Sequence, residues 1–214
     1  MLQTAVTMMN SLSYANASCV SQMYFGRSNY LVFDSRNEVR WNHYWEENPT
    51  DIIVLGAGPW YSDIGDLHWA LAEVANSMRS WRSRGMRLPL LFWKTVNPAH
   101  MNCDQFMHPV STYEERLMNL TYQENPFHWE LFKTFDDISR AAIREIGGRV
   151  LDMAPLRLRP DAHPGRLGLT DLFFMKYGKS KAGHPDCLHY CLPGPIDIFR
   201  DIFLTALLAG SMPA

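Results

Sequence analysis

Three observations predict an α/β fold built on a parallel sheet. Short apolar runs of strand character alternate with amphipathic helical stretches, the two kinds of segment follow one another along most of the chain, and long polar loops leave the ends of the strands. The order opens with Leu2, Ala5, Val6 and Met9, which share one face of an expected helix, and continues with a short apolar run of strand character at 30–34. A clearer strand spans 51–55. Leu67, Ala70, Leu71, Val74, Ala75, Met78 and Trp81 then follow the three/four spacing of an amphipathic helix, which Gly85 can end. Residues 88–93 make a buried strand. Leu131, Phe135, Ile138, Ala142 and Ile146 mark the next helix, stopped by Gly147-Gly148, with a strand at 149–153 behind it and a closing helix at 197–208. The loops at 97–127 and 154–195 are long for connections in a compact domain. Both follow strand C-terminal ends, where open α/β sheets place their sites.

Composition narrows the classes. A chain of 214 residues with 47% hydrophobic and 13% aromatic content can core one domain well and two scarcely, so a single domain over 1–214 is expected. The formal charge of -2, with both signs scattered, supplies no basic stripe for nucleic acid and no polybasic patch for a membrane. Apolar runs stay short of a bilayer span, and Met1-Leu2-Gln3-Thr4-Ala5-Val6-Thr7 has no cationic leader region, so no membrane segment or signal peptide is visible in the sequence. Repeats and low-complexity segments are absent.

Residues 184–195 carry the chemistry: His184-Pro185-Asp186-Cys187-Leu188-His189-Tyr190-Cys191-Leu192-Pro193-Gly194-Pro195. A carboxylate stands three residues before an imidazole, between two cysteines, in a segment too rich in Pro and Gly to be a helix or a central strand. Asp186 can accept a hydrogen bond from one ring nitrogen of His189, fix its tautomer and stabilise the imidazolium, leaving the other nitrogen to take a proton from a nucleophile. The same pattern also occurs in turns that only satisfy their own backbone. A zinc site at His184, Cys187, His189 and Cys191 is the remaining alternative, but one short stretch of chain would have to supply every ligand, whereas zinc sites generally add a separate second pair. No metal or cofactor is implied.

A family resemblance runs through these residues. The block from Asp186 to Asp197 resembles the Asp-x-x-His block of the trichome-birefringence-like proteins, or PC-esterases, a branch of the SGNH (GDSL-type) acyl hydrolases. Three further blocks agree in order: Asp161-Ala162-His163 is similar to the family's Asp-Ala-His segment, and Trp93-Lys94-Thr95-Val96-Asn97-Pro98-Ala99-His100 to its Arg-Thr-x-x-Pro-x-His segment. Trp45, followed by Asp51-Ile52-Ile53-Val54-Leu55-Gly56-Ala57-Gly58-Pro59-Trp60-Tyr61, is similar to its Trp and Asp-Val-Leu-Val-Phe-Asn-x-Gly-His-Trp-Trp pattern.

The resemblance implies a three-layer, flavodoxin-like SGNH fold with helices on both faces of a parallel sheet. It also implies transfer of acetyl groups to, or their removal from, polysaccharide or glycan hydroxyls through a Ser-His-Asp triad, with no cofactor and an acyl donor the sequence does not specify. By match, Asp186 is the orienting acid and His189 the general acid/base, while Gly56, Gly58, Trp60, Lys94, His100, Asp161 and His163 fall in the substrate or oxyanion region. His100 and His163 are equally readable as satisfied loop or core histidines, and Trp60 and Tyr61 as core aromatics. The family's Gly-Asp-Ser block, at the end of a central first strand, has no counterpart in the sequence, which is read here as starting just past it. Ser28 and Ser35 match that block by two letters of three but in the wrong context. Loss of the strand predicts open neighbours in the sheet and poor folding. Gly56 stands where the family supplies an oxyanion-hole Asn, and Lys94 where Arg is usual, which leaves a non-catalytic glycan-binding or partner protein as the alternative. The resemblance further implies a disulfide from Cys103 to Cys187, with no partner assigned to Cys19 or Cys191, and a Golgi or secretory location.

Overall fold

The structure, a computed structural model, describes residues 4–9, 23–28, 41–47, 49–57, 61, 63–112, 128–163, 186–191 and 194–209, with main chain only for 4–9 and 23–28 and at 43, 44 and 196. Its residues cluster in two units: Gln3–Val96 with Leu131–Leu151, and Met1–Leu2 with Asn97–Glu130 and Asp152–Ala214.

The described residues of the first unit form a mixed sheet with three helices. Strands β1 (Thr4–Met9), β2 (Met23–Ser28), β3 (Ile52–Leu55), β4 (Leu90–Lys94) and β5 (Arg149–Leu151) lie in the order β2-β1-β3-β4-β5. The expected parallel sheet is β3-β4-β5, with Ile53 beside Leu91, Leu55 beside Trp93 and Phe92 beside Arg149. Ile53, Val54 and Leu55 are all buried, as are Leu91, Phe92 and Trp93. Continuous rather than alternating burial is the mark of strands covered on both faces, which is why these segments read as unbroken apolar runs.

The helices are α1 (Trp41–Glu47), α2 (Ile64–Ser83) and α3 (Phe132–Glu145). α2 buries Leu67, Ala70, Leu71, Val74, Met78 and Trp81, the stripe its periodicity predicts apart from Ala75. Asp63 caps its first turn by accepting from the Gly65 N–H, and Gly85, at φ +69°, supplies the left-handed exit. The Trp81 indole ring stacks 4.0 Å from that of Trp45, meets Trp41 edge-on at 5.5 Å, and donates its N–H to Glu46, so aromatic area fastens α1 to α2. In α3 the buried face is Phe132, Phe135, Asp136, Ser139 and Ile143, rotated from the predicted apolar stripe. The rotation has a polar cause: Asp136 is drawn inside because its carboxylate accepts from the Val96 N–H at 2.8 Å, just beyond the end of β4.

Two expectations fail at the start of the chain. Residues 4–9 form β1, not a helix, and pair antiparallel both with β2 and, through Thr7, Met8 and Met9, with β3. Cross-strand pairing is available to this segment, and β-branched Thr4, Val6 and Thr7 suit an extended chain, whereas a three/four pattern over eight residues distinguishes poorly. The edge of β3 expected to be open is therefore hydrogen-bonded on both sides, by β1 and by β4. The sheet is parallel in β3-β4-β5 and antiparallel beyond. The strand expected at 30–34 lies outside the described residues, and β2 was not foreseen.

The described residues of the second unit make 3-10 turns at Cys103–Gln105, Ala154–Leu158 and Pro160–Ala162 and one long helix, α4 (Pro195–Ala209). Pro195 opens α4 at the position where a missing N–H costs nothing. Single main-chain hydrogen bonds tie the loops: His100 N–H to Cys187 C=O, Val110 N–H to Leu158 C=O, and Cys191 N–H to Ala162 C=O. Among the described residues no helix is long and apolar enough to cross a membrane.

Candidate active site

The Asp186–His189 pair is formed by local geometry. The Asp186 carboxylate accepts from the main-chain N–H groups of Leu188 (3.2 Å) and His189 (3.1 Å), closing a turn that brings the His189 ring back over it. His189 Nδ1 then lies 2.8 Å and 3.0 Å from the two carboxylate oxygens. Burial pushes the Asp186 carboxyl up, but the imidazole hydrogen bond, the charge of His189 and the two backbone N–H groups outweigh it and hold the group well below the usual carboxylate range. An ionised Asp186 fixes the Nδ1–H tautomer. The opposite nitrogen, Nε2, is buried and has no hydrogen-bond partner among the described residues. Its lone pair is thus left for a proton delivered by something else.

A disulfide joins Cys103 to Cys187 across 84 residues, with Cα atoms 5.4 Å apart, and so pins the turn to the 3-10 turn at Cys103–Gln105. A thiolate zinc site at Cys187 is incompatible with that bond, and His184 lies outside the described residues. Cys191 is a free, exposed cysteine; Cys19 is outside the described residues.

Behind His189 stand the two other histidines. His163 Nδ1 approaches the main-chain carbonyl of His189, His163 Nε2 lies 2.6 Å from His100 Nδ1, and His100 Nε2 lies 2.9 Å from the Arg157 carbonyl. His100 is fully buried and His163 nearly so. Burial pushes the His163 imidazole down to about 4, the His189 carbonyl opposing and the His100 ring adding to the drop; burial likewise lowers His100, against the Arg157 carbonyl and Asp161. Asp161 is held by a two-pronged contact from Arg159, at 3.0 Å and 3.2 Å. The Tyr190 ring packs on His163 at 4.3 Å, and its hydroxyl donates to the Pro98 carbonyl at 2.7 Å. Tyr190 and the Arg157 carbonyl were not foreseen. Tyr190 had a sequence signal in its place beside His189; a carbonyl has none.

Gly56 and Lys94 meet in the sheet unit, at the ends of neighbouring β3 and β4. A Cβ added at Gly56 would lie 3.0 Å from the Lys94 carbonyl oxygen, tight enough that the main chain must give. Burial pushes the Lys94 ammonium down to about 8, against the pull of Asp136, and its Nζ donates to the Thr95 carbonyl at 3.2 Å. Gly58 and Trp60 lie outside the described residues, and Tyr61 is buried.

An α/β fold around a parallel sheet, carrying an Asp-x-x-His dyad in a turn after its last strand, defines the SGNH-like class of acyl hydrolase. Residues 24–206 match the GDSL/SGNH-like acyl-esterase family found in Pmr5 and Cas1p, and the chain belongs to this PC-esterase family. It is similar to xyloglucan O-acetyltransferase 4 of Populus trichocarpa, 32% identical over 53% of this chain and 27% of the relative. It is also similar to protein trichome birefringence-like 26 of Arabidopsis thaliana, 27% identical over 74% of this chain and 42% of the relative. A shorter stretch, 31% of this chain and 16% of the relative, is 43% identical to xyloglucan O-acetyltransferase 1 of Arabidopsis thaliana. These matches span well under half the length of the relatives. No solved structure matches.

Proposed function

We propose that the chain carries the acid–base part of a serine O-acyltransferase or O-acetylesterase acting on polysaccharide hydroxyls, as a single SGNH-like domain. The observation that carries this reading is the His189 imidazole, oriented by Asp186 through Nδ1 and left without a partner at buried Nε2. Nε2 accepts the proton of a serine hydroxyl as its oxygen bonds the acyl carbon, then returns it to the departing group. In the second half a sugar hydroxyl or water gives its proton to Nε2, attacks the acyl-serine, and serine leaves reprotonated. The Gly-Asp-Ser block of the family would provide that serine; the 214 residues do not contain it. Gly56, Gly58, Trp60 and Lys94 are assigned to the oxyanion and substrate region, with Asp161, His163 and His100 behind the dyad. The names of the relatives point to xyloglucan as the acceptor or substrate. The Cys103–Cys187 bond suits an oxidising compartment, in keeping with a Golgi or secretory location.

Gly56 favours a second reading, a glycan-binding relative without turnover, because the crowded contact with Lys94 leaves no ready space for an oxyanion-hole side chain. A fluorophosphonate probe separates the two, since only an activated serine reacts. The chain and the longest product of its transcript should both be treated. Labelling of the longer product that disappears in His189→Ala supports the enzyme. Retention on xyloglucan without labelling of either supports the binding protein.

A further inference from the structure

The His100–His163 pair sits in a chain of contacts, Arg157 carbonyl, His100, His163, His189 carbonyl, with three links and four ring nitrogens. Both ends are carbonyl oxygens, which only accept, so His100 Nε2 and His163 Nδ1 must each bear a proton. The central 2.6 Å nitrogen–nitrogen contact needs one more. Three links therefore require three protons, while two neutral imidazoles hold two.

We propose that His163 is a positioning residue for His189, holding its main-chain carbonyl, and that the chain of links backing this hold closes only when the His100–His163 pair carries a third proton at its central contact. The inference rests on the reading of His189 as the acid/base. His189 has its ring fixed from one side by Asp186 and its main chain fixed from the other by His163, so the dyad is held at both ends of one residue. With two protons, one of the three links must open. The groups facing the pair act in opposite senses: Asp161, tied to Arg159, favours a proton on His100, and Asp186 favours one on His163, while a charged His189 opposes it. Tyr190 packs its ring on both histidines and keeps its hydroxyl on Pro98. Burial is the largest influence on both rings and favours the neutral pair at neutral pH, so the third proton enters on acidification.

The test is a histidine nitrogen-15 NMR titration of the whole chain from pH 7.5 to 3, with circular dichroism confirming fold at each point. It is repeated in His163→Asn, whose amide donates to the carbonyl at any pH, and in His163→Phe, which fills the space without a donor. In the wild type the His189 ring signals should carry an inflection that coincides with that of the pair's own ring signals. The pair's inflection should vanish from His189 in His163→Asn while the Nδ1–H tautomer stays. In His163→Phe that single tautomer should give way to a mixture. Wild-type His189 signals that do not follow the pair, or the pair's inflection persisting at His189 in His163→Asn, overturn the proposal, as does an unchanged tautomer in folded His163→Phe. Should His163→Phe not fold, the first two criteria decide. No step uses turnover, so a failed fluorophosphonate experiment would remove the enzymatic reading while leaving this result legible.

Discussion

The sheet unit and the loop unit are held together by different means. In the sheet unit, β3, β4, α2 and α3 bury repeated apolar side chains, with Ile53, Leu55, Leu67, Phe92, Trp81 and Ile143 almost without exposure. Each contributes a share of a non-directional effect. In the loop unit the buried apolar side chains are fewer, among them Met153, Leu156 and Leu188, and single directional links add to them: one disulfide, the Asp186 turn, the histidine chain and a few main-chain hydrogen bonds. A hydrophobic core is indifferent to redox state and mild acid, while links of the second kind depend on sulfur oxidation and proton count. The contrast teaches that the part of the molecule bearing the candidate chemistry is the part most open to control by its surroundings.

Breaking the contrast begins with the disulfide. Cys103→Ser with Cys187→Ser should cost about 4 to 5 kcal/mol by the loop-closure estimate, less any relief of strain. Thiol reduction of the wild type should reproduce the loss in a thermal melt. A matching core lesion, Trp81→Ala, should cost about 3 to 5 kcal/mol, measured by urea unfolding, with the same loss in reducing and non-reducing buffer.

Acid should discriminate next. His163 titrates at about 4 in the fold against 6.5 when free, so the unfolded chain binds the proton first as pH falls. Its contribution to stability is full above pH 6.5 and declines toward pH 4, by about 3 kcal/mol. Asp186, lowered in the fold, adds a loss of the same sign as pH falls below the ordinary carboxylate value of 3.8. Urea midpoints at pH 7 and pH 4.5 should therefore diverge in the wild type and converge in His163→Asn. The smallest effect sharpens the comparison from inside the sheet unit. Asp136→Ala leaves the Val96 N–H unpaired and should cost about 1 to 3 kcal/mol in the same assay.

Much of this was legible beforehand, and unevenly. The α2 stripe was read almost whole because a 20-residue amphipathic helix repeats its signal many times. β3 and β4 were read because strands buried on both faces are unbroken apolar runs. α3 was found but turned about its axis, since Asp136 and Ser139 carry no apolar signal and are buried for a hydrogen bond that no pattern announces. The apolar spacing at β1 suits a helix as well as a strand, and its partners β2 and β3 are not local to it.

The α/β class, the parallel β3-β4-β5 core and the Asp186–His189 pair are all written into local stretches of sequence. All three follow from short-range causes: periodicity, apolar runs, and a three-residue turn whose carboxylate binds its own backbone. Tertiary structure alone decided the antiparallel β1-β2 pair, the buried face of α3, and the stack of Arg157, His100, His163 and His189. The physical reason is distance along the chain. His100 and His163 are separated by 63 residues, and main-chain carbonyls, identical at every position, acquire meaning only when folding sets one opposite a donor.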